Sequence, residues 1–321
     1  MIPYLDLHCD TLELGFRKGM KDIYELPEGM LDIRRMKEAG MFGQFFAIFF
    51  PPQDRDWMPD DEVYYQALKK LFYDSLDKHK DCIAYAGNAA EAEGNEQEGK
   101  LSAFLTIEDG RHAQGKLSNI EKFYRDGVRL ISLTWNHENC FGAPNSRERS
   151  IMEKGLTPFG REAVRYMNEL GMLIDVSHLS DGGFYEALKL TKKPLLASHS
   201  NVRALSPHPR NLTDDMIRSL AETGGIAGVN FYGPFLQPDA KTEHSTLEAL
   251  TAHITYMVNL GGEDFVALGT DFDGISGEVE INSPLMMQKL FEHLKDQGLT
   301  ERQIEKLAYK NALRIIREVL G

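Results

Sequence analysis

No apolar run approaches the roughly 18–20 residues that a membrane-spanning helix needs, so the sequence offers no candidate span. Nor does it begin with a basic stretch followed by an apolar one, the pattern of a secretory signal. Cysteine is scarce: Cys9, Cys82 and Cys140 are an odd count at unrelated spacings. That argues against a disulfide framework and suits a reducing cytoplasm, the compartment expected for this chain. Positive charge is in deficit, with a formal net charge of −13. Neither electrostatic steering nor counterion release then favours nucleic acid or an anionic membrane, and neither is expected as a partner. A G-x-G-x-x-G after the first strand and a G-x-x-x-x-G-K-[ST] anywhere are both missing, which disfavours an open sheet built around a nucleotide. No internal repeat, low-complexity tract or linker interrupts the 321 residues, so one domain over 1–321 is the simpler reading.

The composition, 42% hydrophobic and 26% charged, is that of a soluble globular chain. Short apolar runs recur, each followed by a helical or loop stretch. Strands are expected over 4–8, 44–50, 102–107, 128–134, 172–176, 194–197, 225–230 and 265–269. The second is closed by Pro51-Pro52. Helices are expected over 30–39, 60–78, 120–125, 158–170, 184–190, 214–222 and 247–259, and through the tail from Pro284. Thr157-Pro158 reads as an N-cap with proline at the first helical position, and Gly171 as the stop. The acidic patch Glu91 to Glu98 reads as a solvated loop, and 135–156 as a long loop of the kind that is often functional. Eight strands alternating with helices point to a closed (β/α)₈ TIM-type barrel with extra C-terminal helices.

In such a barrel the active site lies at the C-terminal ends of the strands. Collected there are His8 and Asp10 after the first strand, Glu108 after the third, His178 after the fifth, His199 after the sixth and Asp271 after the eighth. In a strand, alternation puts His8 and Asp10 on one face and turns Cys9 to the other. Only ten histidines exist in the chain, and three fall at such ends. Each residue alone has a plain structural explanation; their coincidence at one barrel end favours a metal site. Imidazole with carboxylate suits zinc or a similar first-row ion. His8 with Asp10 can hold one ion and His178 with His199 another, with Glu108 bridging. A water shared by two such ions is made acidic, and Asp271 is placed to act as general base. Asp273 is in phase with Asp271, and Asp6 is in phase with His8 but deeper. On the residues alone, Arg203 and Arg210 are equally plausible anchors for a substrate carboxylate, and each reads as a loop arginine in a surface salt bridge.

The motifs Asp6-Leu7-His8-Cys9-Asp10, Ile107-Glu108-Asp109-Gly110, Leu173-Ile174-Asp175-Val176-Ser177-His178, Ser198-His199-Ser200, Arg210-Asn211-Leu212-Thr213-Asp214-Asp215 and Gly269-Thr270-Asp271-Phe272-Asp273-Gly274 stand in an order that resembles the renal (membrane) dipeptidase family of metal-dependent peptidases, within the amidohydrolase-type barrels. The resemblance implies a metallo-dependent hydrolase-like barrel with two zinc ions per chain. Its ligands would be His8, Asp10, Glu108, His178 and His199. It further implies that Asp271 carries the proton, that Arg210 grips the substrate's terminal carboxylate, that the substrate is a dipeptide (a D-residue being tolerated at its C-terminal position), and that the chain forms a homodimer. Where family members often have an oxyanion histidine directly after Leu-Thr, this chain has Trp135 and Asn136, and His137 is the candidate for that catalytic and substrate-binding role. The rival expectations are an amidohydrolase acting on N-acyl amino acids or cyclic amides, and a non-catalytic metal-binding barrel.

Overall fold

A computed structural model describes residues 1–52, 57, 59–239 and 241–321. Its barrel strands are β1 (Leu5–Cys9), β2 (Gly43–Phe49), β3 (Leu101–Glu108), β4 (Val128–Ser132), β5 (Leu173–Asp175), β6 (Leu196–Ala197), β7 (Ile226–Val229) and β8 (Val266–Leu268). Each pairs in parallel with the next, and β8 pairs with β1, which closes the barrel. The eight expected strands are therefore all present, and the TIM-type architecture holds.

Leu5, Leu7, Phe45, Phe104, Leu130, Leu173, Leu196, Ile226 and Ala267 form one buried cluster drawn from all eight strands, the filled interior of the barrel. The C-terminal helix Asn311–Leu320 packs onto that cluster through Ala312, Leu313, Ile315, Ile316 and Val319. Full burial of one such Leu or Phe side chain is worth about 1.5–3 kcal/mol over leaving it exposed. The other strand face, with Phe46, Ile48, Leu105, Ile107 and Ile131, packs under the surrounding helices.

Strand β1 breaks the simple alternation of its faces. Asp6 pairs with Gln44 but Cys9 pairs with Phe46, so three steps on β1 match two on β2. This is a bulge, and a bulge re-aims the side chains that follow it. Leu7 joins the interior cluster, and His8 and Asp10 nevertheless turn to the same interior one step higher. Cys9 faces outward, its thiol on the Phe45 carbonyl (3.5 Å). The bulge also takes Asp6 out of phase with His8. Asp6 instead receives Thr270 N–H (2.8 Å) and the Thr270 hydroxyl (2.6 Å), which fastens the end of β8 to β1.

Three local expectations need correction. The acidic patch is not a loop but the helix Ala89–Gln97: Asn88 caps it by accepting Glu91 N–H, and Ala89 and Ala92 give it a buried side. A further strand, Ile83–Tyr85, lies alongside the start of β3. A helix, Thr11–Arg17, follows Asp10 directly, where none was expected. By contrast, Thr157 caps Pro158–Leu170 as expected, and Gly171 ends that helix at φ 69°, in the left-handed region glycine favours.

Candidate metal centre at the barrel mouth

The interior changes character one layer above the apolar cluster. Asp175, at the end of β5, accepts the backbone N–H of Ser177 and of Ser198 (both 2.8 Å) and the Ser198 hydroxyl (2.5 Å), together with the Ser132 hydroxyl. The Ser198 oxygen, its proton committed to Asp175, lies 2.7 Å from His199 Nδ1. It therefore accepts from that nitrogen, and His199 Nε2 is left with its lone pair facing the mouth.

Five side chains converge above this layer, all nine-tenths or more buried. Glu108 lies between two groups. Its Oε2 is 3.4 Å from His8 Nε2, while Oε1 is 3.0 Å from His178 Nε2 and 3.4 Å from His199 Nε2. His8 Nε2 is also 3.5 Å from Asp10 Oδ2 and 3.7 Å from Asp271 Oδ1. The His8 and His199 rings stack at 3.9 Å. Each ligand-type residue named from the sequence is thus in the cluster, and so is Asp271.

Electrostatics divides the cluster. Burial alone would lower the His8 pKa, but Glu108 and Asp10 outweigh it and hold the imidazole well above its usual value. On the other side burial, with Arg210 nearby, lowers His178 to about 4. Burial, His8 and Arg210 lower His199 as well. Asp271 is raised well above the carboxylate range by burial, then by Asp10 and Glu108, against the pull of His8.

The residues fit a metal. His8 Nε2 and Asp10 Oδ1 are buried with no hydrogen-bond partner among the described residues, a costly arrangement unless something else satisfies them. His178 Nε2 and His199 Nε2 stand 3.1 Å apart. With both lone pairs outward that approach is repulsive unless a cation lies between them. Ligand atoms of His8, Glu108 and His199, and of His8, Asp10 and Asp271, form two groups close enough to hold an ion. The donor set is of the zinc type.

The cluster is built partly from unfavourable backbone. Asp271 sits at φ 62° and His178 at φ 66°, a region that costs about 1–3 kcal/mol for residues other than glycine. Asp271 N–H on the His8 carbonyl (3.2 Å) holds the first. Asn145, through its backbone (2.7 Å) and side-chain amide (3.0 Å), holds the carbonyl of the second. Gly274 is also required: a Cβ there would lie 2.0 Å from Asp10 Oδ2 and 2.5 Å from Asp271 Oδ1.

The cavity above the cluster, about 300 Å³, is lined by Asp10, Glu13, Arg17, Phe49, Glu108, Trp135, Asn136, His178, Tyr232, Phe235, Asp271 and Asp273, and by Gly274 to Ser276. That is the small end of ligand pockets. The choice between Asp271 and Asp273 is resolved by geometry. Asp273 accepts the Thr11 hydroxyl (2.6 Å) and Met30 N–H (2.5 Å), whereas Asp271 reaches His8. The two arginines separate as clearly. Arg203 forms two bonds to Asp181 (2.7 and 2.8 Å) and others to backbone carbonyls. Arg210 is buried, donates to the Ser200 hydroxyl (2.6 Å), and leaves Nε and Nη2 without a hydrogen-bond partner among the described residues. Its guanidinium lies 5.8 Å from the Phe235 ring on the cavity wall.

His137 is not brought into the cluster. It is exposed and lines a neighbouring hollow with Pro52, Asp61, Asp109 and Arg111. The preceding residue, Asn136, lines the cavity instead. The one-residue shift follows from the loop, in which Asn139 bonds back to Asp109 (2.7 Å) and to the Leu133 carbonyl (2.9 Å). Asn230, just past β7, ends an expected strand but is not among the site residues the sequence suggests; its amide donates to Asp271 Oδ2 (2.8 Å).

A closed parallel barrel with buried histidines and carboxylates at its mouth defines the class of barrel metallohydrolases. Comparison narrows this. Residues 1–320 match the family model of membrane dipeptidases, peptidase family M19. An uncharacterized dipeptidase of Schizosaccharomyces pombe is 31% identical over 303 residues, covering 88% of this chain and 71% of that one. The crystal structure of a dipeptidase of family M19 superposes with a TM-score of 0.89 at 28% identity, covering 100% and 99% of the two chains. A Rhodobacter sphaeroides metallopeptidase, liganded with a phosphinate mimic of the dipeptide L-Ala-D-Ala, gives a TM-score of 0.89 at 26% identity, with 99% of each chain covered. The chain belongs to the membrane dipeptidase family, peptidase family M19, and is a metallopeptidase of that kind.

Proposed function

We propose that this chain hydrolyses dipeptides with two zinc ions. The observation that carries the reading is the buried Arg210, with two unpartnered nitrogens beside a metal-type cluster. A guanidinium there can grip a terminal carboxylate bidentately, and although burial lowers its pKa to about 10 it stays charged near neutral pH. That requirement selects a substrate whose free carboxylate lies close to the scissile bond. The phosphinate dipeptide mimic on the Rhodobacter relative supports the same substrate class, including a D-residue at the C-terminal position.

Zinc held by His8 and Asp10 on one side of Glu108, and by His178 and His199 on the other, would lower the pKa of a water toward neutrality and polarise the scissile carbonyl. Arg210 fixes the carboxylate end of the substrate. Asp271, oriented by Asn230, takes a proton at its carboxylate and returns it to the leaving amine. Phe49, Trp135 and Phe235 border the cavity and restrict water around the bound peptide. His137 carries no step in this account. Cysteine usage supports a cytoplasmic setting, and the family resemblance a homodimer.

Kinetics on matched substrates test the proposal. A dipeptide is expected to be cleaved at least ten times more efficiently than its C-terminal amide and than the corresponding N-acyl amino acid. Equal turnover of the amide would contradict the Arg210 assignment, and preference for the N-acyl amino acid would make the chain a deacylase.

A further inference from the structure

We infer that Asn136 is a positioning residue for His178, fixing which imidazole nitrogen is offered to the metal. The inference rests on the two-metal reading above. Asn136 Oδ1 lies 3.1 Å from His178 Nδ1, and both residues line the cavity. The pair has two possible arrangements. If the Asn136 amide nitrogen donated, His178 Nδ1 would be the acceptor and Nε2 would carry the proton. Nε2 is the atom 3.0 Å from Glu108 Oε1 and 3.1 Å from His199 Nε2, and a protonated nitrogen cannot ligate. The arrangement that leaves Nε2 free has Nδ1–H donating to Asn136 Oδ1.

The other histidine of that group obtains the same service from the barrel interior, through the Ser198 hydroxyl on His199 Nδ1 (2.7 Å). His178, at a left-handed φ of 66°, meets the loop after β4 instead, its Nδ1 on Asn136. That loop holds His178 at both ends. Asn145 takes its carbonyl with two donors, and Asn136 takes its ring. Asn136 also stands next to Trp135, which lines the same cavity. The residue this chain presents to the cavity thus acts on the ligand His178.

The test is a zinc titration of metal-depleted protein against a chromogenic chelator, resolving two stepwise constants. Asn136 is exposed on a loop, so substitution removes no core packing. In Asn136→Leu one constant is expected to weaken by about 10–100-fold while the other is unchanged. Asn136→Asp, which keeps an acceptor at the same place, should restore the weakened constant or tighten it. Two constants unchanged in Asn136→Leu would overturn the inference and leave the two-metal reading standing. Equal weakening at both sites, or loss in Asn136→Asp matching that in Asn136→Leu, would also overturn it. Unaltered protein that takes fewer than two ions would contradict the two-metal reading itself, and this inference with it.

Discussion

On one side of Glu108 lie His8, Asp10 and Asp271; on the other lie His178, His199 and Arg210. Both sides offer imidazole nitrogen to the same bridging carboxylate at 3.0–3.4 Å. Their surroundings differ in sign. Three carboxylates face His8, and two of them, Glu108 and Asp10, hold its pKa high, whereas burial and a guanidinium hold His178 and His199 low. The difference is a polarity built across about 300 Å³ of cavity. On the proposed reading, Asp271 is the proton carrier at one end and Arg210 the carboxylate receptor at the other. A substrate with an amide bond and a free carboxylate a few bonds apart matches that polarity in one orientation only.

Removing the shared residue should abolish the comparison altogether. Glu108→Gln is expected to lose zinc from both sides, measured by elemental analysis, and all chelator-sensitive turnover with it. Asp271→Asn acts on the acidic side alone: kcat should fall by about 10²–10⁴-fold with zinc content intact. Arg210→Met acts on the other side. It should cost about 3 kcal/mol, roughly a hundredfold in kcat/KM for a dipeptide, and little for a C-terminal amide that never engaged the guanidinium.

The last effect falls on stability rather than turnover and concerns what supports the Arg210 side. His253 Nδ1 accepts Val202 N–H and Nε2 donates to the Leu236 carbonyl, both at 3.0 Å. Burial lowers its pKa from 6.5 to about 4. Between those values the unfolded chain binds more protons than the folded one. The stabilising contribution is therefore complete above the unfolded value and lost as pH falls toward the folded one, approaching about 3 kcal/mol. Urea midpoints taken across that range should show the slope, and His253→Gln should flatten it.

The barrel was legible because its strands are short apolar runs ending in polar residues, a pattern that survives without knowledge of register. The cluster at the barrel mouth was legible for the same reason, each member standing at a strand end. Other features depend on contacts distant in sequence. The β1 bulge shows only in the pairing of Asp6 with Gln44 and of Cys9 with Phe46, and strand alternation alone puts Asp6 in phase with His8. The helix Ala89–Gln97 hid behind its charges, its buried side being two alanines. The difference between Arg203 and Arg210 lies in Asp181, which reaches Arg203 from the start of the helix Asp181–Leu190. Asn136 rather than His137 faces the cavity because Asn139 folds the loop back onto Asp109, a choice no spacing in the sequence encodes.

The most direct test measures metal content and dipeptide hydrolysis on one preparation, before chelation, after it, and after zinc is added back. About two zinc per chain, activity lost with the metal and restored by zinc, is the expected result. Full activity in a thoroughly metal-free preparation would contradict the account.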